Sequence, residues 1–190
     1  MNVSPPSKKR NASTTKEAIL VAARRVFTDS GYDGAGLREI AALAGVNVAL
    51  INRYFGSKDG LFKAAIVDHL DLEQIFAGDM ADFGNRMSDY FLSHPVKKEG
   101  YDPTLAILRS TSSETSVKVI AEALETGFCD LLQAKLPDLD PDICATKAGL
   151  LTAMLMGFDM MRRVFQLRAL DANEHTHKLL ANSLQAIINA

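Results

Sequence analysis

Residues 31–62 read GYDGAGLREIAALAGVNVALINRYFGSKDGLF, and the glycines in this run limit what it can become. Leu37, Ile40, Ala41 and Ala44 recur at helical spacing, and Gly45 follows where a left-handed residue would stop the helix. A second short amphipathic run begins at once. Two short helices joined by a tight glycine turn predict a helix-turn-helix, a shape suited to DNA grooves.

The chain has 190 residues, 47% of them apolar, enough to bury a core either as one domain or as a small module plus a larger one. Cys129 and Cys144 lie far apart in sequence, inside helical patterns, so neither a disulfide framework nor a pair of metal-binding thiols is expected. That usage suits a reducing cytoplasm. The basic opening MNVSPPSKKRNAS is not followed by the apolar core of a signal peptide, and no export is expected. The most apolar run, residues 149–158, is shorter than the roughly 20 residues that span a bilayer. It predicts a core helix and no membrane partner.

A net charge of -2 hides an uneven distribution. Residues 1–63 carry ten Lys or Arg against five Asp or Glu, and residues 64–190 carry eleven against eighteen. A basic first third can meet phosphates while the acidic remainder faces away. Lys8, Lys9 and Arg10 read as a solvated tail, with a minor-groove or phosphate contact as the alternative.

No strand alternation or internal repeat interrupts the helical patterning, so the chain is all-α. Thr14 and Glu17 have the spacing of a capping box, which starts a first helix near Thr15. Ile19, Ala22, Ala23, Val26 and Phe27 give that helix one apolar face, and Gly31 ends it. Helix two runs from about Leu37 to Ala44.

In helix three, Asn47 is placed to cap the N-terminus, and Ile51 and Phe55, four apart, anchor one side. The opposite side carries Ala49, Asn52 and Arg53, with Val48 and Leu50 at its margins. Asn can bond an adenine edge and Arg a guanine edge, while Ala or Val can touch a thymine methyl. Helix three is therefore the candidate base reader. Gly56 closes it, Ser57 caps the next helix, and Lys58 begins that helix with its positive end toward a possible phosphate. Tyr54 can offer its hydroxyl to another. Taken singly, Tyr54 would read as a core-edge residue and Lys58 as a solvated charge.

With these residues in view, positions 15–62 resemble the DNA-binding domain of the TetR family of bacterial transcriptional regulators. NRYFGSK, residues 52–58, stands where that family's three-helix unit ends in a YxYF-SK-like sequence. The resemblance implies that Tyr54 and Lys58 touch phosphates, that Val48, Ala49, Leu50, Asn52 and Arg53 face bases or backbone, and that Arg38 reaches the groove. Ala35 and Gly36 replace the Thr or Ser that often caps helix two, leaving the Gly36 N–H for a phosphate. The apolar Val48, Ala49 and Leu50, with Asn52, also depart from the family's usual reading helix, so a relative's operator does not transfer.

The organisation expected is a basic tail over residues 1–14, a helix-turn-helix domain over 15–57, and a helical regulatory and dimerisation domain over 58–190. In the last, residues 105–108 make a short helix after Pro103, and Val117, Ile120, Ala121, Leu124, Phe128, Leu131 and Leu132 trace a long apolar face. Residues 141–170 form a helix apolar on nearly all sides between Ala148 and Met161. Such a helix needs two partners, its own core and a second copy of itself. We therefore expect a homodimer through Leu155 and, on the last helix, Leu179, Leu180, Leu184, Ile187 and Ile188. Two-fold symmetry sets two reading helices about 34 Å apart on a palindrome.

The family resemblance also implies a small-molecule effector pocket, for which Phe91, Tyr101, Leu105, Leu108, Phe128, Met154, Phe158 and Met161 are the lining candidates, though core packing accounts for each as well. Arg109 and Asp159 are the polar candidates, with Asp159 also placed for a helix-surface ion pair to Arg162 or Arg163.

Other chemistry fails on inspection. GYDGAG follows a helix and lacks a downstream lysine-hydroxyl pair, so it is a turn. His175 and His177 fall on different sides of a helix, His69 and His94 are isolated, and RSTSSET reads as a loop and helix cap with no nucleophile elbow. We expect no catalytic residues, metal or cofactor. The reading is a DNA-binding repressor released from its operator by a small molecule. The alternatives are an activator or a regulator answering to a protein partner, and an all-helical ligand carrier or enzyme.

Overall fold

A computed structural model of the chain describes residues 12–68, 76–93 and 101–190, and every regular element among them is helical. Lys8, Lys9, Arg10, His69 and His94 lie outside the described residues. Helix α1 spans Ala12–Gly34, α2 Leu37–Ala44, α3 Val48–Phe55 and α4 Lys58–Phe62, the last continuing as a wider turn of helix over Lys63–Val67. Then come α5 Phe83–Ser93, α6 Pro103–Ser110, α7 Glu114–Lys135, α8 Pro141–Asp159, which widens over Met160–Val164, and α9 Glu174–Asn189.

Two apolar clusters hold these helices. The first joins Ile19, Ala23 and Phe27 of α1 to Ile40 of α2, Ile51 of α3 and Phe62 of α4. It does not close at residue 57: Ala65, Ile66, Ala106, Ile107 and Ile120 belong to the same cluster. Phe27 and Tyr32 each meet the Phe62 ring edge-on, at 4.9 and 5.3 Å between centroids, a geometry aromatic quadrupoles favour. The second cluster joins Phe83 and Met87 of α5, Phe128 and Leu132 of α7, Leu151 and Leu155 of α8, and Leu180, Leu184 and Ile188 of α9. Leu124 packs against both.

Polar contacts tie α1 to α6 beside the first cluster. At Gly31 the φ of 65° breaks α1, and a Cβ there would lie 2.4 Å from the Arg109 carbonyl oxygen, so only glycine lets the two backbones approach this closely. Beyond the break the chain resumes a helical turn to Gly34, where the sequence predicts an end at Gly31. Arg109 donates to the carbonyls of Thr28 and Asp29 at 2.5 and 2.9 Å, and the Tyr32 N–H donates to Ser110 Oγ at 2.9 Å. Arg109 thus satisfies the carbonyls that the break in α1 leaves open.

At the other end of α6, Asp102 accepts from the Leu105 N–H at 3.0 Å and from Arg163 at 2.6 Å. Arg163 also meets Asp159 at 3.4 Å, and Asp159 accepts from the Thr104 hydroxyl. The sequence places Asp159 and Arg163 as a helix-surface pair. The pair forms, but both residues are buried, because α6 closes over that face of α8.

By length and composition alone Pro141–Val164 reaches across a bilayer, since the helix extends well beyond the ten residues of its most apolar run. In the fold it lies against α7 and α9. It also carries Lys147, which donates to the Ile188 carbonyl at 2.8 Å, and Arg162, which donates to the carbonyls of Phe91 and Leu92. At the other terminus, α1 already runs through Thr14 and Thr15 from Ala12, so this pair does not mark its start.

Candidate nucleic-acid interface

Helix α2 buries Ile40, Ala41 and Ala44 and stops at Gly45, whose φ of 66° and ψ of 40° are left-handed. Val46 then returns an N–H to the Ala41 carbonyl at 2.9 Å, closing the turn. Asn47 opens α3 by accepting from the Ala49 N–H at 2.9 Å. Its side-chain oxygen is therefore engaged as a cap. Within α3, Ile51 is fully buried, and with half-buried Val48, Tyr54 and Phe55 on the same cluster it sets which way the helix faces.

Ala49, Asn52 and Arg53 stand exposed on the side away from Ile51, and Val48 and Leu50 are half-buried at its edges. The three exposed residues, spaced three and four apart, form one outward patch. Arg38 is exposed in the first turn of α2. Gly36, also exposed, precedes α2 in extended conformation with no side-chain cap, as the substitution of a hydroxyl residue predicts.

Gly56 ends α3 with a φ of 75°, and its N–H reaches the Asn52 carbonyl at 2.9 Å. Ser57 caps α4 by accepting from the Gly60 N–H at 3.1 Å. Lys58 is half-buried, and its ammonium lies 4.6 Å from the centre of the Tyr32 ring. The neighbouring Asp59 accepts from the Tyr32 hydroxyl, and burial together with this carboxylate raises the Tyr32 phenol well above its usual range. A neutral ring thus positions Lys58 at the start of α4. Tyr54 is half-buried, 6.4 Å from the Phe55 ring, and Lys16 of α1 lies over Phe55 at 5.7 Å. The Tyr32–Lys58 and Lys16–Phe55 contacts carry no sequence signal, because each joins residues more than 25 positions apart.

Among the described residues, none of the expected effector residues lines the cavities that α7, α8 and α9 form with one another. Phe128 is core, while Phe91, Met154 and Phe158 pack partly buried on the second cluster and Tyr101 on the first. Leu105, Leu108 and Met161 are half-buried, and Arg109 is engaged with α1 as described. A groove of about 640 Å³ between α7 and α8 includes none of these residues in its lining. Burial also changes the expected dimer surface. Leu155, Leu180, Leu184 and Ile188 face their own subunit's core, whereas Leu179 is 69% exposed and Ile187 half-buried. The open apolar surface of these helices is instead Ile143, Leu150, Ala186, Ile187 and Leu179, with a shallow cavity of about 570 Å³ between α8 and α9. The sequence pattern marks α8 as apolar all round without saying which side its own chain covers.

Among the described residues no group of three His, Cys, Asp or Glu is arranged to hold a metal. His177 instead meets Asp89 at 2.9 Å.

Residues 19–65 match the family of bacterial regulatory proteins named for tetR, and residues 81–188 match the tetracycline repressor-like C-terminal domain. The chain is 32% identical over 171 residues to the HTH-type transcriptional repressor NicS of Pseudomonas putida, covering 78% of this chain and 77% of that one. It superposes with a TM-score of 0.62 on a TetR-family regulator from Streptomyces coelicolor, at 25% identity over 97% of this chain and 100% of that one. NalD of Pseudomonas aeruginosa, described as the secondary repressor of a multidrug efflux pump, shares the fold with a TM-score of 0.63, at 20% identity over 94% and 96% of the two chains. The capped helix-turn-helix, the all-helical second part and these matches together establish that the chain belongs to the TetR family of DNA-binding transcriptional regulators, a non-enzymatic family.

Proposed function

We propose that this regulator is a homodimeric repressor that leaves a palindromic operator when a small molecule binds within residues 58–190, and that it acts in the cytoplasm. The outward patch of Ala49, Asn52 and Arg53, held opposite the buried Ile51, is the observation that carries the DNA reading. In this reading Asn52 and Arg53 meet base edges, Val48, Ala49 and Leu50 meet thymine methyls or backbone, Arg38 reaches the groove, and Tyr54, Lys58 and the Gly36 N–H meet phosphates. Asn47 contributes through its cap. The repressor names of NicS and NalD support the sign of regulation.

The dimer would form through the open face of α8 and α9, where Ile143, Leu150 and Leu179 are at least half exposed. The effector would enter between the two clusters, where Tyr101, Leu105, Met154, Phe158 and Met161 can exchange protein contacts for ligand contacts. A ligand that prefers a dimer with its reading helices wrongly spaced lowers operator affinity by the free energy of that preference.

Selection of bound sequences from a random duplex pool, followed by a salt titration on the winner, tests the reading. An enriched palindrome whose affinity falls steeply with salt is the expected result. Binding that ignores both sequence and salt overturns it. On the selected duplex, Arg53→Ala should relax preference at one or two base pairs at a cost of about 1–3 kcal/mol, while Lys58→Ala weakens all sequences alike. Leu150→Glu with Leu179→Glu should give monomers in sedimentation. A variant that remains dimeric would place the interface elsewhere.

A further inference from the structure

The two cysteines, separated by a helical hairpin in sequence, meet in the fold. Cys129 of α7 and Cys144 of α8 place their sulfurs 4.0 Å apart, and the Cys144 thiol also donates to the Cys129 carbonyl at 3.7 Å. Both are free thiols, and their surroundings differ: Cys144 is fully buried, whereas Cys129 is half-buried and lines the groove between α7 and α8. Ala121, Leu124, Ala145 and Ala148 give that groove mostly apolar walls, which Glu125, Thr126, Asp130 and Thr152 complete. One sulfur is therefore reachable from solvent, and the second waits directly behind it.

We propose that Cys129 and Cys144 form a dithiol that a hydroperoxide oxidises to a disulfide bridging α7 and α8. The Cys129 thiolate attacks the outer peroxide oxygen. The O–O bond breaks, the alcohol ROH leaves with the proton, and Cys129 is left as a sulfenic acid. Cys144 sulfur then attacks Cys129 sulfur, and the S–O bond breaks. Hydroxide departs with the Cys144 proton as water. The sum is dithiol plus ROOH giving disulfide, ROH and water, with the peroxide as the oxidant. Burial raises the Cys144 thiol, which suits the resolving partner better than the first nucleophile. The apolar walls favour an R group of hydrocarbon character over hydrogen peroxide.

A disulfide needs sulfurs at about 2 Å, so its closure draws α7 toward α8. Helix α7 also packs against α4 and Lys63–Val67, and its Ile120 belongs to the first cluster. A displacement of α7 therefore reaches the link to the reading helix. This last step rests on the regulator reading above.

The test uses the full reduced chain, one arm with hydrogen peroxide and one with cumene hydroperoxide, followed by thiol labelling, intact mass and non-reducing peptide mapping. The expected result is loss of both thiols, a mass lower by two hydrogens, a 129–144 crosslink and full reversal by dithiothreitol. The organic peroxide should act about tenfold faster. Cys144→Ser should leave a sulfenic acid on Cys129 that dimedone captures, and Cys129→Ser should slow oxidation of Cys144 by about tenfold. Thiols that survive excess peroxide, added oxygen without a crosslink, or crosslinks only between chains overturn the proposal. Equal rates for the two peroxides overturn the role of the groove. Oxidised chain should bind the selected duplex about tenfold more weakly than reduced chain. A disulfide that leaves duplex binding unchanged overturns the coupling to α4, whereas a reduced chain that binds no duplex defeats the regulator reading and leaves the thiol chemistry standing.

Discussion

Helices α3 and α8 are positioned by opposite means. One fully buried side chain, Ile51, half-buried Val48, Tyr54 and Phe55 against the first cluster, and caps at its two ends orient α3, leaving the side of Ala49, Asn52 and Arg53 exposed. Helix α8 is held along its length by Cys144, Ala148, Leu151 and Leu155, and at its far end by Asp159 and Arg163 tied to Asp102 and Thr104. A helix anchored on one side only can vary its outward residues without disturbing the fold. A helix that carries buried charge cannot.

The sharpest way to break this contrast is Arg163→Met, which leaves Asp102 and Asp159 without their shared cation. The expected loss is about 4 kcal/mol in urea unfolding, the cost typical of orphaning a buried charge. A loss under about 1 kcal/mol would mean the cluster is solvated and α8 is held by apolar contacts alone. Next comes Ile51→Ala, expected to cost about 3 kcal/mol and to weaken DNA binding by loosening α3. If stability falls while affinity for the selected duplex stays intact, Ile51 is not what orients the reader. Asn47→Ala should cost about 1 kcal/mol, the usual worth of an N-cap, with a conservative Asn47→Asp restoring most of it.

The smallest effect at neutral pH is a change of slope. Burial pushes the Asp159 carboxyl above its ordinary range, against the opposing pull of the Thr104 hydroxyl and Arg163. The folded state therefore holds this proton where the unfolded chain has released it. The stability it contributes is full below the ordinary carboxylate range and is lost as pH rises through the raised value. Asp159→Asn cannot titrate, so stability measured by urea unfolding from acid to neutral pH should decline less steeply than in the parent. An unchanged slope would show that Asp159 titrates alike in the folded and unfolded chains.

The same contrast explains what could be read beforehand. Gly45, Asn47, Ser57 and the periodic Ile40, Ala41 and Ala44 act within a turn or two of chain, where spacing reports directly on geometry. The exposure of Ala49, Asn52 and Arg53 was legible because they are what remains after Ile51 and the caps are assigned. The junction was not. Asp102 and Arg163 are separated by 61 residues, Thr28 and Arg109 by 81, and Cys129 and Cys144 meet only because two helices cross. The dimer residues misled for a related reason: periodicity marks Leu180, Leu184 and Ile188 as apolar, but whether α5 or a second subunit covers them depends on packing.

The first cluster's disregard for residue 57 bears on how such a regulator can be re-engineered. A chimaera joined there would set one parent's Ile19, Phe27 and Ile51 against the other parent's Ile66, Ala106 and Ile107, splitting one core between two lineages. On the proposed reading, new operator specificity is better grafted on the outward positions of α3 alone. A larger transplant would have to carry the glycine at 31 and the α6 segment it touches from the same donor.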